Sequence, residues 1–322
     1  MKARTYTLVL GIGLAGYGLW AAELRLGMIG LDTSHCTAFT RLINDPKDKD
    51  HVAGGKVTVA YKCFSPDIES SANRVEGYAK QLQEQYQVKL VGSIAELLQE
   101  VDGVLIESVD GRPHLEQARP VILAKKPLFI DKPVAGSLDD AIAIYKLAKE
   151  HGTPVFSSSA YRYYDSLVAL AKTNVGVIRS VISYGPCSLE PHHPDLFWYG
   201  IHASEALFTV MGPGCESVVR TSTPDTEVVT GLWKDGRTGV LMGLRNGPTP
   251  HKVIIFGSKA VAEQQGSGTY APLVREIMKF MQTGVAPVSP AETLELFGFM
   301  AAADESKRQG GAPVKIKPVA NP

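Results

Sequence analysis

The first half of the chain alternates short apolar runs with longer segments whose apolar residues recur at helical spacing. Short apolar runs bounded by Gly, Pro or Asp predict buried strands, and the amphipathic segments between them predict helices. The predicted strands cover residues 24–30, 56–61, 89–91, 103–108, 128–131 and 153–157. The predicted helices end near residue 43 or cover residues 73–86, 93–100 and 137–151, with a further one after residue 114. This alternation predicts a doubly wound parallel sheet.

The pattern changes after residue 163, where strand-like runs follow one another between Gly, Pro and Asp turns. These runs cover residues 177–184, 217–222, 226–233, 239–245 and 252–257, and two helices over 273–282 and 291–308 close the chain. Consecutive strands with short turns predict an open, mostly antiparallel sheet. We therefore predict an α/β protein in which residues 23–160 form the parallel domain and residues 161–322 form a second α+β domain.

The first 22 residues differ from the rest of the chain. Lys2 and Arg4 precede an uncharged run over residues 5–22 that is rich in apolar residues and glycine. This layout is typical of a secretory signal peptide, and an uncleaved anchor is the alternative. We predict export to the periplasm or the cell exterior, with no membrane contact other than an uncleaved signal.

Composition excludes several classes of protein. Lysine plus arginine and aspartate plus glutamate both number 33, so the formal net charge is zero and nothing favours a nucleic-acid partner. The four cysteines are widely spaced and form no C-x-x-C pair, which argues against a zinc ribbon or a thioredoxin-type site.

The turn after the first strand occupies the position of a dinucleotide-binding glycine motif. Gly30 supplies the first glycine, but Asp32 and His35 stand where the second and third would be. A carboxylate at residue 32 would repel a diphosphate. Alternatively, Asp32, Thr33 or Ser34 simply caps the following helix. Both interpretations stay open.

Two further strand ends carry candidate chemistry. Tyr61 and Lys62 follow the second strand, where NAD-binding domains often place an acid for the ribose hydroxyls. Asp131, Lys132 and Pro133 follow the apolar strand over residues 128–131. A lysine at the carboxyl end of such a strand, partly desolvated beside an acid, is suited to proton transfer.

The order of elements resembles the Gfo/Idh/MocA oxidoreductase family over nearly the whole chain after the signal. Asp131-Lys132-Pro133 looks like the family's Glu-Lys-Pro motif, and Gly200-Ile201-His202 followed by Glu205 looks like the segment that carries its catalytic histidine. The resemblance implies a Rossmann-like first domain, NAD or NADP as cofactor, a sugar or polyol-like substrate, and a homo-oligomer formed through the second sheet.

The resemblance also implies roles for individual residues. Lys132 and His202, with Asp131, would be catalytic, and the histidine would exchange a proton with a substrate hydroxyl. The predicted cofactor-binding residues are Gly30, Asp32, Thr33, Ser34, His35, Tyr61, Lys62 and Ser108. The predicted substrate-binding residues are Tyr161, Arg162, His192, His193 and Asp195.

Two alternatives to a dehydrogenase remain open, and the first rests on departures from the family pattern. The altered glycine turn favours a cofactor-free carbohydrate-binding or catalytically degenerate homologue. Trp198 stands where the family has an acid four residues before the histidine. A third hypothesis is a metal-dependent site at His192, His193 and His202, because Glu190 to Glu205 is rich in histidine and acidic residues. No fixed-spacing metal motif is present, so the predicted site contains no metal ligand.

Overall fold

The computed structural model describes residues 23–317, so the predicted signal peptide over residues 1–22 lies outside the described part. The strands are β1 (Leu24–Ile29), β2 (Gly55–Tyr61), β3 (Lys89–Val91), β4 (Gly103–Ile106), β5 (Leu128–Asp131), β6 (Val155–Ser158), β7 (Ile178–Pro186), β8 (Cys215–Ser222), β9 (Thr226–Trp233), β10 (Thr238–Leu244), β11 (Lys252–Gly257), β12 (Val261–Glu263) and β13 (Val314–Lys315). The helices are α1 (Ser34–Asn44), α2 (Glu69–Ala72), α3 (Val75–Tyr86), α4 (Ile94–Glu100), α5 (His114–Leu123), α6 (Leu138–His151), α7 (Asp165–Ala171), α8 (Ile201–Met211), α9 (Ala271–Thr283) and α10 (Pro290–Arg308).

The first sheet is the predicted doubly wound one. Its six strands are ordered β3-β2-β1-β4-β5-β6, and every neighbouring pair is parallel. The chain runs outward from β1 to β3 and then returns to the other side of β1 with β4. The carboxyl ends of β1 and β4 therefore form the switch point where open α/β sheets bind ligands.

The central strands are apolar because helices cover both faces of the sheet. All residues of β4 and β5 are buried, and so are the last four of β1. Strands buried on both faces show continuous apolar runs instead of alternation. Polar side chains are consequently confined to the strand ends. The helix over residues 94–100 begins as predicted, because Ser93 Oγ accepts a hydrogen bond from Glu96 N at 3.2 Å.

The second sheet is mixed but mostly antiparallel, as predicted. Its order is β12-β11-β7-β10-β9-β8-β13, and only β7 and β10 pair in parallel. Helix α8 packs on β7 and β10, and α10 packs on β8, so one face of the sheet is covered. The sequence analysis missed β12 and β13, which have three and two residues and no apolar pattern of their own.

Helix α9 crosses back to the first domain. Ile277, Met278 and Phe280 are buried in the same core cluster as Leu26 of β1. The ring of Phe280 lies 4.7 Å from that of Phe156 in β6. The predicted boundary at residue 160 therefore leaves out one helix, because the apolar face of α9 completes a core built by a segment more than 100 residues earlier. No helix among residues 23–317 is long and apolar enough to cross a bilayer.

A buried ionic cluster joins the strands of the second sheet to α10. The Arg220 side chain is fully buried and contacts Glu227 at 2.8 Å, Asp195 at 3.0 Å and Asp304 at 2.5 Å. Hydrogen bonds to Arg220 and Ser222 lower the pKa of Glu227 despite the opposing effect of burial. The Asp195 carboxylate is therefore engaged in an ion pair with Arg220 instead of being free to bind a substrate.

We predict that Arg220→Met lowers the free energy of unfolding by about 3–5 kcal/mol, because it leaves buried carboxylates without their main counter-charge. Urea denaturation followed by circular dichroism measures the change. Arg25→Met is the control, since Arg25 pairs with Asp102 at the surface and should cost about 0–1 kcal/mol. Equal losses in the two variants would contradict the prediction.

Candidate active site

A cleft of about 510 Å³ lies at the carboxyl edge of the first sheet, against the start of α8. The side chains that line its wall include Lys132, Tyr161, Tyr199, His202, His251 and Tyr270. Most of them are polar or aromatic with a polar group. The cleft therefore combines hydrogen-bonding groups with flat apolar surfaces, a combination that suits a small polyhydroxylated ligand.

Lys132 reaches the cleft from the end of β5. Only 7% of the residue is exposed, and its Nζ lies 5.7 Å from the centroid of the Tyr199 ring. The apolar residues of β5 anchor the backbone before it. A buried ammonium group in this position supplies a fixed positive charge to whatever oxygen enters the cleft.

His202 lies in the first turn of α8 and faces the same cleft. Its Nδ1 is 2.7 Å from Ser159 Oγ, and its ring packs edge-on against Tyr199 and His251. Burial, and then the charges of Lys132, His251 and His35, hold the pKa of His202 well below its usual range. The imidazole is therefore neutral near pH 7 and can accept a proton.

A chain of hydrogen bonds links His202 to Glu205 through Ser159. Ser159 Oγ also accepts a hydrogen bond from Tyr161 N at 3.2 Å. Ser159 N donates to Glu205 at 3.3 Å, and Arg162 Nε donates to the other Glu205 oxygen at 2.7 Å. Trp198 instead packs against His193 with ring centroids 5.2 Å apart. Ser159, and not Trp198, is therefore the side chain in contact with His202 Nδ1.

The turn after β1 keeps its first glycine for a steric reason. Gly30 has a φ of +86°, and a Cβ added to it would lie 2.5 Å from Ser108 N. Only glycine permits both the conformation and this approach of β1 to the end of β4. Among the three cap candidates, Thr33 caps α1, because its Oγ1 accepts from His35 N at 3.1 Å.

Asp32 is completely buried beneath this turn. Its carboxylate accepts hydrogen bonds from Ser71 Oγ at 2.5 Å and from Val109 N at 3.0 Å. Burial raises the pKa of Asp32 against the opposing effect of these two bonds. Asp32 therefore ties the β1 turn to the segment after β4 and to α2, instead of capping the helix.

His35 and Asp131 form a buried pair behind the cleft. His35 Nδ1 lies 2.6 Å from Asp131 Oδ2, and the imidazole stacks on Phe39 and meets Tyr270 edge-on. His35 lines the cleft, whereas Asp131 is 2% exposed and does not. Burial acts to raise the pKa of Asp131, but the charge and hydrogen bond of His35 and the charge of Lys132 outweigh it, so the pKa is lowered. Asp131 therefore acts on the cleft through His35.

A second cavity of about 390 Å³ lies at the end of β2, on the other side of the β1 turn. Tyr61 and Ser108 line it, as do the apolar side chains of Phe64 and Ile94. Lys62 does not line it, because its Nζ pairs with Glu76 at 2.7 Å on the surface. Two of the predicted cofactor residues therefore meet in this cavity, while Thr33, Ser34 and His35 line the larger cleft.

Four predicted substrate residues lie away from the cleft wall. The guanidinium of Arg162 is bound by Glu205 and Glu292, each at 2.7 Å. His192 is exposed and pairs with Glu190. His193 accepts from Gly111 N at 3.3 Å, and burial lowers its pKa to about 4. Asp195 belongs to the Arg220 cluster. Of the five predicted substrate residues, Tyr161 lines the cleft, with its hydroxyl donating to Gln264 at 2.7 Å.

The structure also brings in residues that the sequence analysis did not single out. His251 precedes β11 and lines the cleft, and burial lowers its pKa to about 4. Glu107 follows β4 and is completely buried. Neither belongs to a motif, because each meets its neighbours only through the fold. The apolar run before Glu107 was the one available signal, since an acid at the end of a buried strand lies at the ligand edge.

The hypothesis of a metal site at His192, His193 and His202 does not match the geometry. These residues form no group of three ligands within the described part of the chain. Each ring has a different set of neighbours, which are Glu190, Gly111 and Ser159. A single group among residues 23–317 has the required proximity, and it consists of His35, Glu107 and Asp131.

The comparisons with known proteins agree with this arrangement. Residues 24–159 match the family model described as "Oxidoreductase family, NAD-binding Rossmann fold". A comparison with curated protein sequences gave no match. Of the two predicted cofactors, NAD and NADP, the family description names NAD.

Solved structures extend the likeness of fold beyond the first domain. A myo-inositol 2-dehydrogenase from Lactobacillus plantarum is 15% identical, covers 92% of this chain and 100% of its own, and has a TM-score of 0.75. A scyllo-inositol dehydrogenase from Lactobacillus casei, solved with NAD(H) and scyllo-inositol, is 14% identical, covers 91% and 99%, and has a TM-score of 0.74. The predicted resemblance to the Gfo/Idh/MocA oxidoreductase family is thereby confirmed over residues 24–159, which match the family model.

Proposed function

We propose that the protein is an NAD(P)-dependent oxidoreductase that acts on a hydroxyl group of a sugar or polyol-like substrate. The observation that carries the proposal is that Lys132 and His202 line one cleft at the carboxyl edge of the Rossmann-fold sheet. The names of the similar structures, which are inositol dehydrogenases, support this substrate class.

The residues around the β1 turn fit a dinucleotide in most respects. Gly30 allows the close approach of backbone that the turn requires, and the cavity lined by Tyr61 and Phe64 has the flat walls that suit a nucleoside. Ser70 and Arg74 line the cleft beside the start of α1, where a helix N-terminus favours phosphate. Ser70 Oγ is buried and has no hydrogen-bond partner among the described residues. When bound, the nicotinamide supplies a hydride acceptor or donor.

Lys132 and His202 have different roles at the substrate hydroxyl. The Lys132 ammonium donates a hydrogen bond to the reacting oxygen and stabilises negative charge that develops on it. Neutral His202 accepts the hydroxyl proton, and Ser159 holds the ring in place through Nδ1. Tyr161 and Tyr199 form walls of the cleft, which limits the water that reaches the same oxygen.

A second candidate is a cofactor-free carbohydrate-binding protein, or a catalytically degenerate homologue, and one observation favours it. The Asp32 carboxylate accepts a hydrogen bond from Val109 N beneath the turn where a diphosphate would approach the backbone. A buried acid at this point opposes a diphosphate by charge repulsion when it is ionised. The cleft with its tyrosines and histidines would still bind a carbohydrate.

The two candidates differ in nucleotide content. For the oxidoreductase, we expect about one NAD or NADP per chain in the supernatant of the denatured native protein, measured by mass spectrometry, or saturable binding by calorimetry. Asp32→Gly should bind the nucleotide more tightly than wild type, because it removes the repelling charge. The carbohydrate-binding candidate would instead be supported if the supernatant contained no nucleotide and neither wild type nor Asp32→Gly bound NAD or NADP. A calorimetric titration with inositols and sugars would then test that candidate.

We predict that His202→Asn lowers kcat/KM for polyol oxidation by about 10²–10⁴-fold, because the proton acceptor is lost. The assay follows NAD(P)H formation over a panel of inositols and sugars. His151→Asn, in the last turn of α6 and away from the cleft, is the control. A His202→Asn enzyme as active as the control would rule out the proposed role.

The lowered pKa of His202 predicts an unusual pH profile. The neutral, proton-accepting form persists as the pH falls through 6.5, the ordinary pKa of histidine, so kcat/KM should decline only at lower pH. Lys132, His251 and His35 are the charged or titratable groups that act on the ring. A decline centred at or above pH 6.5 in wild type would contradict the prediction, and His202→Asn should lack this limb.

We also propose export of the protein and self-association through the second sheet. The uncovered face of this sheet carries the partly exposed apolar side chains of Ile182, Val240 and Ile254, which are neighbours in register. Such a stripe favours pairing with a second copy. Light scattering of Val240→Glu against wild type tests association, and cell fractionation with N-terminal sequencing tests export.

A further inference from the structure

Three side chains that could each offer a metal-ligand atom converge behind the cleft from the ends of neighbouring strands. His35 comes from the helix after β1, Glu107 follows β4, and Asp131 ends β5. These strands are adjacent in the sheet, and their carboxyl ends lie at one edge. One ligand atom from each residue lies within 4.8 Å of the others.

The carboxylates of this group lack the partners that buried charges require. Glu107 is 0% exposed, and neither of its oxygens has a hydrogen-bond partner among residues 23–317. Asp131 Oδ1 is also buried without a partner. Ionised carboxylates are strongly disfavoured in an interior unless a cation or hydrogen-bond donors compensate them. Three unpartnered carboxylate oxygens at one place are therefore available as ligands for a cation.

The protein's own cationic side chains do not pair with Glu107. His35 pairs with the other oxygen of Asp131 at 2.6 Å. Within the described residues, no lysine, arginine or histidine nitrogen lies within 4.0 Å of a Glu107 oxygen.

We propose that His35, Glu107 and Asp131 bind one divalent cation, Zn²⁺ or Mn²⁺. Imidazole nitrogen with two carboxylates is a ligand set that both ions accept. Three protein ligands leave at least one coordination position for water or a ligand oxygen. The proposal goes beyond the oxidoreductase function and does not rest on it.

The present geometry needs only a small adjustment to receive the ion. Ligand atoms around a tetrahedral zinc at about 2.1 Å stand about 3.4 Å apart. His35 Nδ1 and Asp131 Oδ2 are now 2.6 Å apart, and one ligand atom from each of the three residues lies within 4.8 Å of the others. The ion would replace the hydrogen bond of this pair, and side-chain rotations of about 1 Å would equalise the distances.

The position of His35 connects the site to the cleft. His35 lines the cleft wall together with Lys132, whereas Glu107 and Asp131 lie behind it. A water or a hydroxyl or carbonyl oxygen of a small ligand reaches the free coordination position from that side. The His35 side chain would thus lie between the cation and a molecule bound beside Lys132 and His202.

The test uses the full-length protein, stripped with chelator and free of nucleotide, titrated separately with zinc and manganese chloride by calorimetry. We expect one ion per chain to bind and to raise the melting temperature. Glu107→Gln keeps the shape of the side chain but should weaken binding by more than about tenfold. Glu100→Gln, at the exposed end of α4, is the matched control and should bind as wild type does.

Two outcomes would overturn the proposal. One is the absence of binding by either ion, which would mean that the carboxylates share protons instead. The other is binding that Glu107→Gln and Asp131→Asn leave unchanged, which would locate the ion elsewhere on the chain. Circular dichroism of each variant confirms its fold. Because no nucleotide is present, either failure leaves the nicotinamide proposal standing, and an empty nucleotide assay leaves the cation proposal standing.

Discussion

The burial of charge at the carboxyl edge of one parallel sheet is the constraint on which this molecule's chemistry depends. Helices cover both faces of β1, β4 and β5, so polar side chains occur only where these strands end. Asp32, Glu107, Asp131 and Lys132 are all buried there. Asp32 is compensated by Val109 N and Ser71, and Asp131 by His35, but Glu107 has no such partner among the described residues. This uncompensated carboxylate makes the carboxyl edge of the sheet a candidate binding site.

The same edge explains why two functional interpretations arise from one turn. Gly30 retains the close packing against Ser108 on which a dinucleotide-binding turn is built. Asp32 and His35 replace the smaller residues of that motif and are engaged in internal contacts. His202 and Lys132 line the same cleft, and Ser159, whose N–H donates to Glu205, contacts His202 Nδ1. The side chains proposed to act on a substrate hydroxyl therefore line the cleft, whereas the Asp32 carboxylate at the turn is engaged in internal hydrogen bonds.

The second domain contributes more than a cover for the cleft. Helix α8 carries His202, and the residue before β11 supplies His251. Helix α9 packs its apolar face into the core of the first domain, with Phe280 against Phe156. The two domains therefore share a core as well as the cleft. Residues contributed by both domains are held in a common frame because of this exchange.

The sequence by itself determined most of the elements, because apolar periodicity and turn residues act locally. It identified the alternating domain, the β-rich domain, the cap at Ser93, and the strand that delivers Lys132. It could not determine which side chains meet across strands. Arg162 and Asp195 were predicted to bind substrate, yet Glu205 binds Arg162 and Arg220 binds Asp195, and both partners are distant in sequence. Glu107 and His251 joined the site only in three dimensions, since neighbours in space and not neighbours in sequence decide burial and charge compensation.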